Sequence, residues 1–198
     1  MPGDRRGMAK DSSGRAGPRP GGRSARVQAA VHQAVRALQA EGDEADLTVP
    51  AVAARAGVTP STIYRRWGSL AQLLSDVALE NLRPETDPTD TGSLVGDLRL
   101  WLEQYIEETA SEPGRVMLRD VLAGGAAGNA PQCSIFTSQQ LEVIRTRALA
   151  RGETPPPVDL VLYRVIAPLV YRLLFTPTPP TPEETHHLLD EVLREIPA

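Results

Sequence analysis

The stretch LTVPAVAARAGVTPSTIYRRW, residues 47–67, decides the fold of this chain. Thr48 can cap a short helix in which Pro50 occupies the first turn, where a missing backbone N–H costs little. Gly57 suits a reversal of the chain, because a tight turn after a helix favours positive φ. Thr59, followed directly by a proline, can cap a second helix. Two short helices joined by a glycine-containing turn predict a helix-turn-helix.

The second helix of this unit carries side chains suited to the major groove of DNA. Hydroxyl groups at its amino end can donate to phosphate, and the helix dipole favours an anion there. Two arginines near its end can make bidentate contacts to guanine or phosphate. Ile63 and Trp67 face the opposite way and would hold the helix on its scaffold, while an ordinary solvated face is the alternative for the polar side. Those polar side chains are Thr59, Ser61, Thr62, Tyr64, Arg65 and Arg66.

A helix is predicted before this unit, which gives a three-helix DNA-binding fold, and a further helix after it completes the DNA-binding domain of residues 23–83. Residues 24–39 place apolar side chains at helical spacing, and Ser24 can cap that helix. Ser69 and Gln72 have the spacing of a capping box at the start of a further helix. The helix-turn-helix therefore sits inside a small helical domain.

Residues 1–22 are rich in Gly, Pro, Arg and Ser and predict a disordered basic arm. Their apolar content is too low to offset the entropy of ordering. A basic arm can lie along phosphates or enter a minor groove, and a solubilising tail is the alternative. The basic residues of the arm and of the helix start after it are Arg5, Arg6, Lys10, Arg15, Arg19, Arg23 and Arg26.

The distribution of charge is more informative than its total. The 198 residues carry a formal net charge of −4, which by itself argues against nucleic-acid binding. Residues 1–83, however, have a net charge of +4 and residues 84–198 one of −8. A basic head on an acidic body suits a protein that presents one end to phosphate.

The run at residues 47–67 resembles the signature of the tetracycline-repressor (TetR) family. In that family a Thr begins the first helix of the motif, Ala-x-x-Ala-Gly-Val forms the turn, and Thr-hydrophobic-Tyr lies on the recognition helix. These elements match Thr48, residues 53–58 and residues 62–64. The resemblance implies a ligand-responsive transcriptional regulator, most often a repressor. The phosphate contacts that it implies come from Thr48, Thr62 and Tyr64, and the base-edge contacts from Thr59, Pro60 and Ser61.

Two positions depart from the family pattern. Trp67 stands where the family usually has Phe, which keeps an aromatic plug. Leu70 stands where the family usually has a Lys that meets a phosphate, and an apolar side chain cannot make that contact. Arg65, Arg66 and the basic arm are the candidates to compensate.

Residues 93–198 are predicted as a second, entirely helical domain, after a linker over residues 84–92 that is rich in Pro, Thr and Asp. Residues 158–176 are apolar almost all round, which predicts a central or interface helix. Pro168 is expected to kink that helix. The predicted fold class is therefore all-α, with an N-terminal helix-turn-helix domain and a C-terminal ligand-binding and dimerisation domain.

Two segments of the second domain, residues 168–174 and 91–94, resemble one C-terminal subgroup of the TetR family. That resemblance implies that the last two helices pair with their twins in a four-helix homodimer interface. Dimerisation also follows from size, because one short recognition helix reads only a few base pairs. A two-fold dimer predicts a palindromic double-stranded operator with half-sites roughly 34–36 Å apart.

The family resemblance also implies a small-molecule effector whose binding in the body releases the DNA. Such an effector must favour a state in which the DNA-reading heads are splayed, and the coupling is reciprocal. No buried charge is evident to pair an ionic ligand, so an apolar or neutral ligand is favoured. The alternative is that these side chains are plain core. The candidate lining residues are Trp101, Tyr105, Met117, Phe136 and Tyr163.

An enzyme, a metal site and a cofactor are not expected. Cys133 lies near a predicted helix start, where the pKa of a thiol can fall, but the histidines lie on the first and last helices. No phosphate-loop, serine-hydrolase or zinc-protease motif is present. One cysteine, no signal peptide and no membrane-length apolar run predict a cytoplasmic protein with no membrane contact.

Two other functions stay open at this point. A helix-turn-helix protein that only organises DNA or partners would have the same head, and a closed, well-packed body would favour it. A cavity of several hundred cubic ångströms would favour a ligand sensor. Activation instead of repression depends on promoter geometry, which the sequence does not contain.

Overall fold

The computed structural model of the chain describes residues 22–42, 47–125 and 129–195, and all regular secondary structure in those ranges is helical. This confirms the predicted all-α class. The basic arm predicted for residues 1–22 lies outside the described residues except for its last position. Within the described ranges no helix is both long and apolar enough to cross a membrane.

The N-terminal part, which we call the head, is built from four helices around one apolar core. Their bounds are α1 (Gly22–Glu41), α2 (Val49–Ala56), α3 (Pro60–Trp67) and α4 (Leu70–Leu82). The largest fully buried apolar side chains of this core are Val31, Val35, Val52, Ile63, Leu73 and Val77. Because α1 begins at Gly22, Ser24 lies in its first turn, and the prediction that Ser24 caps the helix was wrong.

The C-terminal part, which we call the body, surrounds a second and larger core. Its helices are α5 (Leu94–Ala110), α6 (Glu112–Ala123), α7 (Ala130–Ala150), α8 (Val158–Val161), α9 (Ala167–Phe175) and α10 (Pro182–Arg194). Its most deeply buried side chains include Leu102, Ile144, Val165, Leu169, Leu189 and Val192. The head and the body therefore each bury their own set of apolar residues.

The apolar segment predicted as one helix over residues 158–176 contains a π-helical turn. Residues Leu162–Ile166 form this turn between α8 and α9, and the N–H of Ala167 donates to the carbonyl of Leu162. The irregularity therefore ends two residues before Pro168, which was expected to kink the helix. Proline has no N–H and its ring crowds the preceding turn, so a local departure from α-helical bonding is expected here.

Helix α4 joins the head to the body by packing against α6. Ser75, fully buried on α4, donates from Oγ to the carbonyl of Val121 on α6 at 3.1 Å and accepts from Asn129 Nδ2 at 3.2 Å. A Cβ at Gly124 would collide with the Ser75 hydroxyl, so glycine permits the close approach of α4 and α6. A movement of this part of α4 would therefore displace residues of both the head and the body.

The segment between α4 and α5, which includes the predicted linker at residues 84–92, is tied to the body. Arg147 on α7 donates from Nη1 to the carbonyl of Pro88 at 2.5 Å. Thr91 donates from its N–H and from Oγ1 to Asp97 Oδ1, at 2.6 and 2.7 Å. Arg151 donates to the other oxygen of the same carboxylate at 2.9 Å. This segment has no helix of its own, but it is held in place by hydrogen bonds.

Candidate nucleic-acid interface and effector cavity

The turn between α2 and α3 has the geometry that the sequence predicted. The N–H of Ala51 donates to Thr48 Oγ1 at 3.3 Å, which caps α2. Gly57 has φ 66° and ψ 32°, the left-handed conformation that a side chain would disfavour. The N–H of Val58 donates to the carbonyl of Ala53 at 3.0 Å and closes the turn. The relative direction of α2 and α3 is therefore fixed by local hydrogen bonds.

Helix α3 buries one face and presents the other to solvent. Ile63 is fully buried and Trp67 nearly so, which anchors the helix in the head core. Tyr64 is 51% exposed, a high value for a tyrosine next to a core. The predicted DNA-contacting residues that are exposed are Thr48, Thr59, Pro60, Ser61, Tyr64, Arg65 and Arg66, and Thr62 is half-buried. Ser61, Tyr64 and Arg65 have i, i+3 and i+4 spacing on one exposed side of α3, and we call this side, together with Thr59 at its start, the α3 face.

Three hydroxyl groups cluster at the amino end of α3. Thr59 Oγ1 lies 2.9 Å from Ser61 Oγ and 3.0 Å from Thr62 Oγ1. Thr59 occupies the cap position, but its side chain makes no capping hydrogen bond, which corrects the prediction that it caps the helix. The hydroxyls instead bond to one another, and they can exchange these bonds for phosphate or base contacts.

The two arginines of α3 have different surroundings. Arg66 donates to the carbonyl and the hydroxyl of Ser24 at 3.2 and 2.7 Å, and to Gln28 Oε1 at 2.5 Å. Its guanidinium carbon lies 5.2 Å from the centre of the Trp67 ring. Arg66 therefore fastens α3 to α1, and a DNA contact from it stays a prediction. Arg65 is exposed on the α3 face and forms no ion pair within the described residues.

Sequence reasoning missed a charged cluster behind α3, which we call the His32 cluster: His32, Trp67, Asp76 and Glu80. His32 is 1% exposed; its Nε2 lies 3.0 Å from Asp76 Oδ2 and its Nδ1 lies 2.5 Å from Glu80 Oε2. Trp67 donates from Nε1 to the same Asp76 oxygen at 2.8 Å. Two features of the sequence could have indicated this cluster. Asp76 and Glu80 have i, i+4 spacing on α4, and Trp67 stands where the family usually has Phe.

The protonation of the His32 cluster follows from these contacts. Burial opposes a charge on the His32 ring and acts to lower its pKa, but hydrogen bonds to Asp76 and Glu80 raise that pKa above its usual value. The bond to His32 is also the main cause that lowers the pKa of Asp76 and of Glu80. These contacts therefore favour an imidazolium between two carboxylates.

Leu70 lies at the start of α4, half-buried against the head core. The side chain that replaces the family's usual Lys thus contributes to packing. The N–H of Gln72 donates to Ser69 Oγ at 3.2 Å, so Ser69 caps α4 as predicted. No structural reason requires a leucine at this position.

A cavity of about 690 Å³ lies where the end of α4 and the segment after it meet α5, α6 and α7. Its volume is within the range of small-molecule sites. Four predicted ligand-binding residues line it, namely Trp101, Tyr105, Met117 and Phe136. Other lining residues include Asn81, Leu82, Arg83, Glu85, Asp87, Gln104, Glu108, Cys133 and Gln140.

The cavity has an aromatic wall and an acidic rim. The rings of Trp101 and Tyr105 are stacked, with centroids 5.5 Å apart and planes 26° apart. Burial raises the pKa of Tyr105 to about 12 and also raises the pKa of Cys133, so both groups are neutral at physiological pH. A raised pKa runs against the alternative of a reactive thiol at Cys133. Three acids and one arginine lie among the lining residues, which gives the rim a net negative charge.

Tyr163, the fifth predicted ligand residue, does not line this cavity. It is 72% exposed and lies on the π-helical turn. Tyr171 and Phe175 are also largely exposed, and their ring centroids are 5.0 Å apart. The reason is that position 163 has i, i+4 spacing with 167, 171 and 175, and this row faces solvent and not the cavity. This exposed aromatic row was not recognised in the sequence.

The chain matches models of one regulator family over both of its parts. A model described as the C-terminal domain of tetracyclin repressor-like proteins matches residues 88–192. A second model, described as bacterial regulatory proteins of the tetR family, matches residues 31–77. The first match alone covers more than half of the chain. The α3 face lies in the second matched part, and the cavity is lined by residues of the first matched part and by residues 81–87 between the two.

Curated relatives are regulators of the same type. An uncharacterized helix-turn-helix-type transcriptional regulator of Mycobacterium tuberculosis is 30% identical over 165 residues, which cover 80% of this chain and 81% of that protein. The helix-turn-helix-type transcriptional regulator AqdR of Rhodococcus erythropolis is 28% identical over 144 residues, which cover 69% and 68% of the two chains.

Solved structures share the fold. The TetR family transcription regulator SCO0332 superimposes with a TM-score of 0.64 and 22% identity, over 87% of this chain and 99% of that one. A TetR-family regulator from Mesorhizobium loti gives a TM-score of 0.56 and 15% identity, over 89% and 100%. The family is one of transcriptional regulators and not of enzymes. The chain belongs to the tetracycline-repressor family of helix-turn-helix transcriptional regulators.

Proposed function

We propose that this regulator is a cytoplasmic repressor that binds a palindromic operator as a homodimer and is released by a small molecule. The main support for the proposal is that Asn81, at the end of α4, contacts the head and also lines the cavity. Arg36 on α1 donates to its Oδ1 at 3.1 Å, while the same residue lines the cavity. One helix therefore connects the candidate effector site to the DNA-reading head.

Operator binding is supported by the α3 face. Exposed hydroxyls at the start of α3 and the exposed Tyr64 and Arg65 provide donors for phosphates and base edges. The anchoring of Ile63 and Trp67 in the core keeps this face rigid, which reduces the entropy lost on binding. Tyr64 is the residue whose removal should affect DNA binding with little effect on folding, since half of it is exposed.

Homodimerisation is supported by the exposed aromatic row. Tyr163, Tyr171 and Phe175 are between 62% and 72% exposed, which is unusual for large apolar side chains on adjacent turns of one helix. This row lies on the helix before α10, and these two are the last helices of the chain. A second copy of the chain that covers the row would supply the homodimer that a palindromic operator requires.

The chemistry of the cavity favours a planar effector that is neutral or positively charged. The stacked rings of Trp101 and Tyr105 offer a flat aromatic surface, and the net negative rim disfavours an anion. Glutamine side chains at positions 104 and 140 can orient polar groups of a bound molecule. An effector that pushes on the end of α4 would change the spacing of the two heads and lower the affinity for the operator.

Repression is tested with a reporter gene placed behind the intergenic DNA beside the gene for this protein. Expression of the wild-type chain should reduce reporter output, and Tyr64→Ala should restore it at equal protein level. Increased output with the wild-type chain would contradict repression and indicate an activator.

The effector site is tested with three dyes that differ in charge: neutral Nile red, cationic rhodamine 6G and anionic anilinonaphthalene sulfonate. We expect the first two to bind with increased fluorescence and to slow the reaction of Cys133, the only cysteine, with Ellman's reagent. Thr137→Trp should fill the cavity and abolish both effects, while Gln139→Trp, exposed on the same helix, should not. Equal binding to both variants would place the dyes elsewhere.

The dimer is tested by sedimentation velocity. The double variant Tyr171→Ser with Phe175→Ser should sediment as a monomer at concentrations where the wild type is a dimer. Ile135→Ser is the matched control, since Ile135 is an exposed apolar residue on α7 and not on the row. A dimeric double variant would exclude the row as the interface.

A further inference from the structure

The imidazole ring of His32 has a carboxylate at each of its nitrogens. Nε2 lies 3.0 Å from Asp76 Oδ2 and Nδ1 lies 2.5 Å from Glu80 Oε2. The ring is 1% exposed, so water cannot replace either partner. A buried ring in this position joins α1 to α4 through two polar contacts.

With both carboxylates ionised, only one protonation state of the ring satisfies both contacts. An ionised carboxylate accepts hydrogen bonds and cannot donate them. A neutral imidazole carries one N–H, so its second nitrogen would direct a lone pair at a carboxylate oxygen. The imidazolium donates from both nitrogens, and charge-assisted bonds of this kind are stronger than neutral ones. The geometry therefore requires a positive charge on His32.

The cluster also reaches the recognition helix. Asp76 Oδ2 accepts from Nε1 of Trp67, the last residue of α3, at 2.8 Å. Gln28 on α1 lies 3.4 Å from the same oxygen through Nε2 and accepts from Arg66 on α3 at 2.5 Å. The side chain of Asp76 thus connects α1, α3 and α4 at one point.

We propose that the charged form of His32 positions the recognition helix, so that loss of its proton lowers the affinity of the protein for DNA. His32 acts here as a positioning residue, because it lies behind α3 and does not belong to the α3 face. The inference rests on the proposed DNA-binding function. This positioning role depends on the partners of His32, Trp67 and Asp76 in this chain.

The other charges around the ring make its protonation decisive. Asp76 and Glu80 on α4 supply two negative charges, and Arg36 on α1 donates to Glu80 at 3.2 Å. Arg66 on α3 acts on Asp76 through its charge. From α2, the part of the head that the structure describes places only apolar side chains in the shared core. When His32 is neutral, both carboxylates lose a buried cationic partner, and one of them also faces a ring nitrogen that carries no proton.

The pH range follows from the direction of the pKa shifts. The pKa of His32 lies above its usual 6.5, so its contribution is complete below 6.5 and is lost as pH rises through the raised value. The pKa values of Asp76 and Glu80 are lowered, so both stay ionised throughout that range. DNA affinity is therefore expected to fall as pH rises through a midpoint above 6.5.

The experiment compares two titrations of the full-length protein. The first follows the imidazole signals of His32 by NMR between pH 5.5 and 9, which reports its protonation without DNA. The second measures, over the same range and at constant ionic strength, anisotropy of a labelled duplex from the intergenic DNA beside the gene. We expect a common midpoint above 6.5 and a several-fold loss of affinity, limited to about tenfold per pH unit for each proton released.

Variants separate this mechanism from general effects of pH. His32→Gln should bind DNA with an affinity that no longer changes over this range, whereas His187→Gln, at an exposed histidine of α10, should behave like the wild type. If His32→Gln does not fold, Glu80→Gln provides the second test. It removes one carboxylate from a largely exposed position and should move both midpoints to lower pH.

Three results would overturn the inference. The first is a DNA affinity that stays constant through the NMR midpoint of His32. The second is an unchanged pH dependence in His32→Gln. The third is failure of the wild type to bind any duplex at any pH, which would overturn the DNA-binding function itself, while the NMR midpoint would show that the ring is still paired.

Discussion

Two charged clusters, one in the head and one in the body, differ in the cation at their centre. In the head His32 is the buried cation between two carboxylates. In the body Asp97 is fully buried and accepts from Thr91 and from Arg151. Arginine keeps its charge at every accessible pH, whereas histidine loses it near neutrality. The body cluster is therefore a constant support, and the head cluster can respond to its surroundings.

The largest effect is expected from removal of the body cluster. Asp97→Ala should lower the free energy of unfolding by about 3 kcal/mol, because it leaves the N–H and the hydroxyl of Thr91 without their acceptor and removes one of the three carboxylates that pair with Arg151. Urea denaturation would measure the change. Glu142→Ala, which breaks an exposed pair with Arg145, should change stability by less than about 0.5 kcal/mol. Equal effects of the two substitutions would show that Asp97 contributes no more than a surface charge.

A smaller effect is expected in the head from Trp67→Phe. The substitution keeps an aromatic ring but removes the N–H that donates to Asp76, which should destabilise the protein by about 2 kcal/mol. Trp101→Phe is the matched control, since its ring is stacked on Tyr105 at the cavity. An equal loss in both variants would mean that ring volume, and not the bond to Asp76, determines the effect.

Because of the two clusters, a plot of thermal stability against pH should fall at both ends, with an acid limb and an alkaline limb. Stability should fall as pH rises through the raised pKa of His32, and fall in acid as pH passes the lowered pKa values of Asp97, Asp76 and Glu80. Calorimetry from pH 3 to 9 would measure both limbs. His32→Gln should flatten the alkaline limb and reduce the part of the acid limb that comes from Asp76 and Glu80, while the part from Asp97 should stay. An alkaline limb that persists in this variant would assign it to another group.

The smallest expected effect concerns Leu70, where the family usually has a lysine. Leu70→Lys should add one phosphate contact per protomer and make the slope of log affinity against log salt steeper by about 0.9 per contact. Leu70→Gln removes the apolar side chain without adding charge and should leave the slope unchanged. A slope for Leu70→Lys equal to that for Leu70→Gln would show that position 70 does not reach the DNA.

The features that the sequence predicted are those fixed by neighbouring residues. The caps and turn around Thr48 and Gly57 depend on hydrogen bonds across a few positions, and the cavity lining followed from aromatic residues on predicted helices. His32 pairs with residues 44 and 48 positions away, which a single sequence does not reveal. Tyr163 was misplaced because it shares an exposed row with Tyr171 and Phe175, and helical spacing alone does not distinguish an exposed row from a buried one. Local chemistry predicts elements well, whereas partners between elements depend on the packed structure.

Binding of a specific operator by the α3 face can be tested directly by fluorescence anisotropy. The labelled duplex would come from the intergenic DNA beside the gene. Wild type and Tyr64→Ala would be compared at two salt concentrations with an unrelated duplex as competitor. We predict sequence-specific binding by the wild type that weakens with salt and is lost in Tyr64→Ala, while the stability of the variant stays within about 0.5 kcal/mol of wild type. Equal binding of the operator by wild type and Tyr64→Ala would contradict the claim.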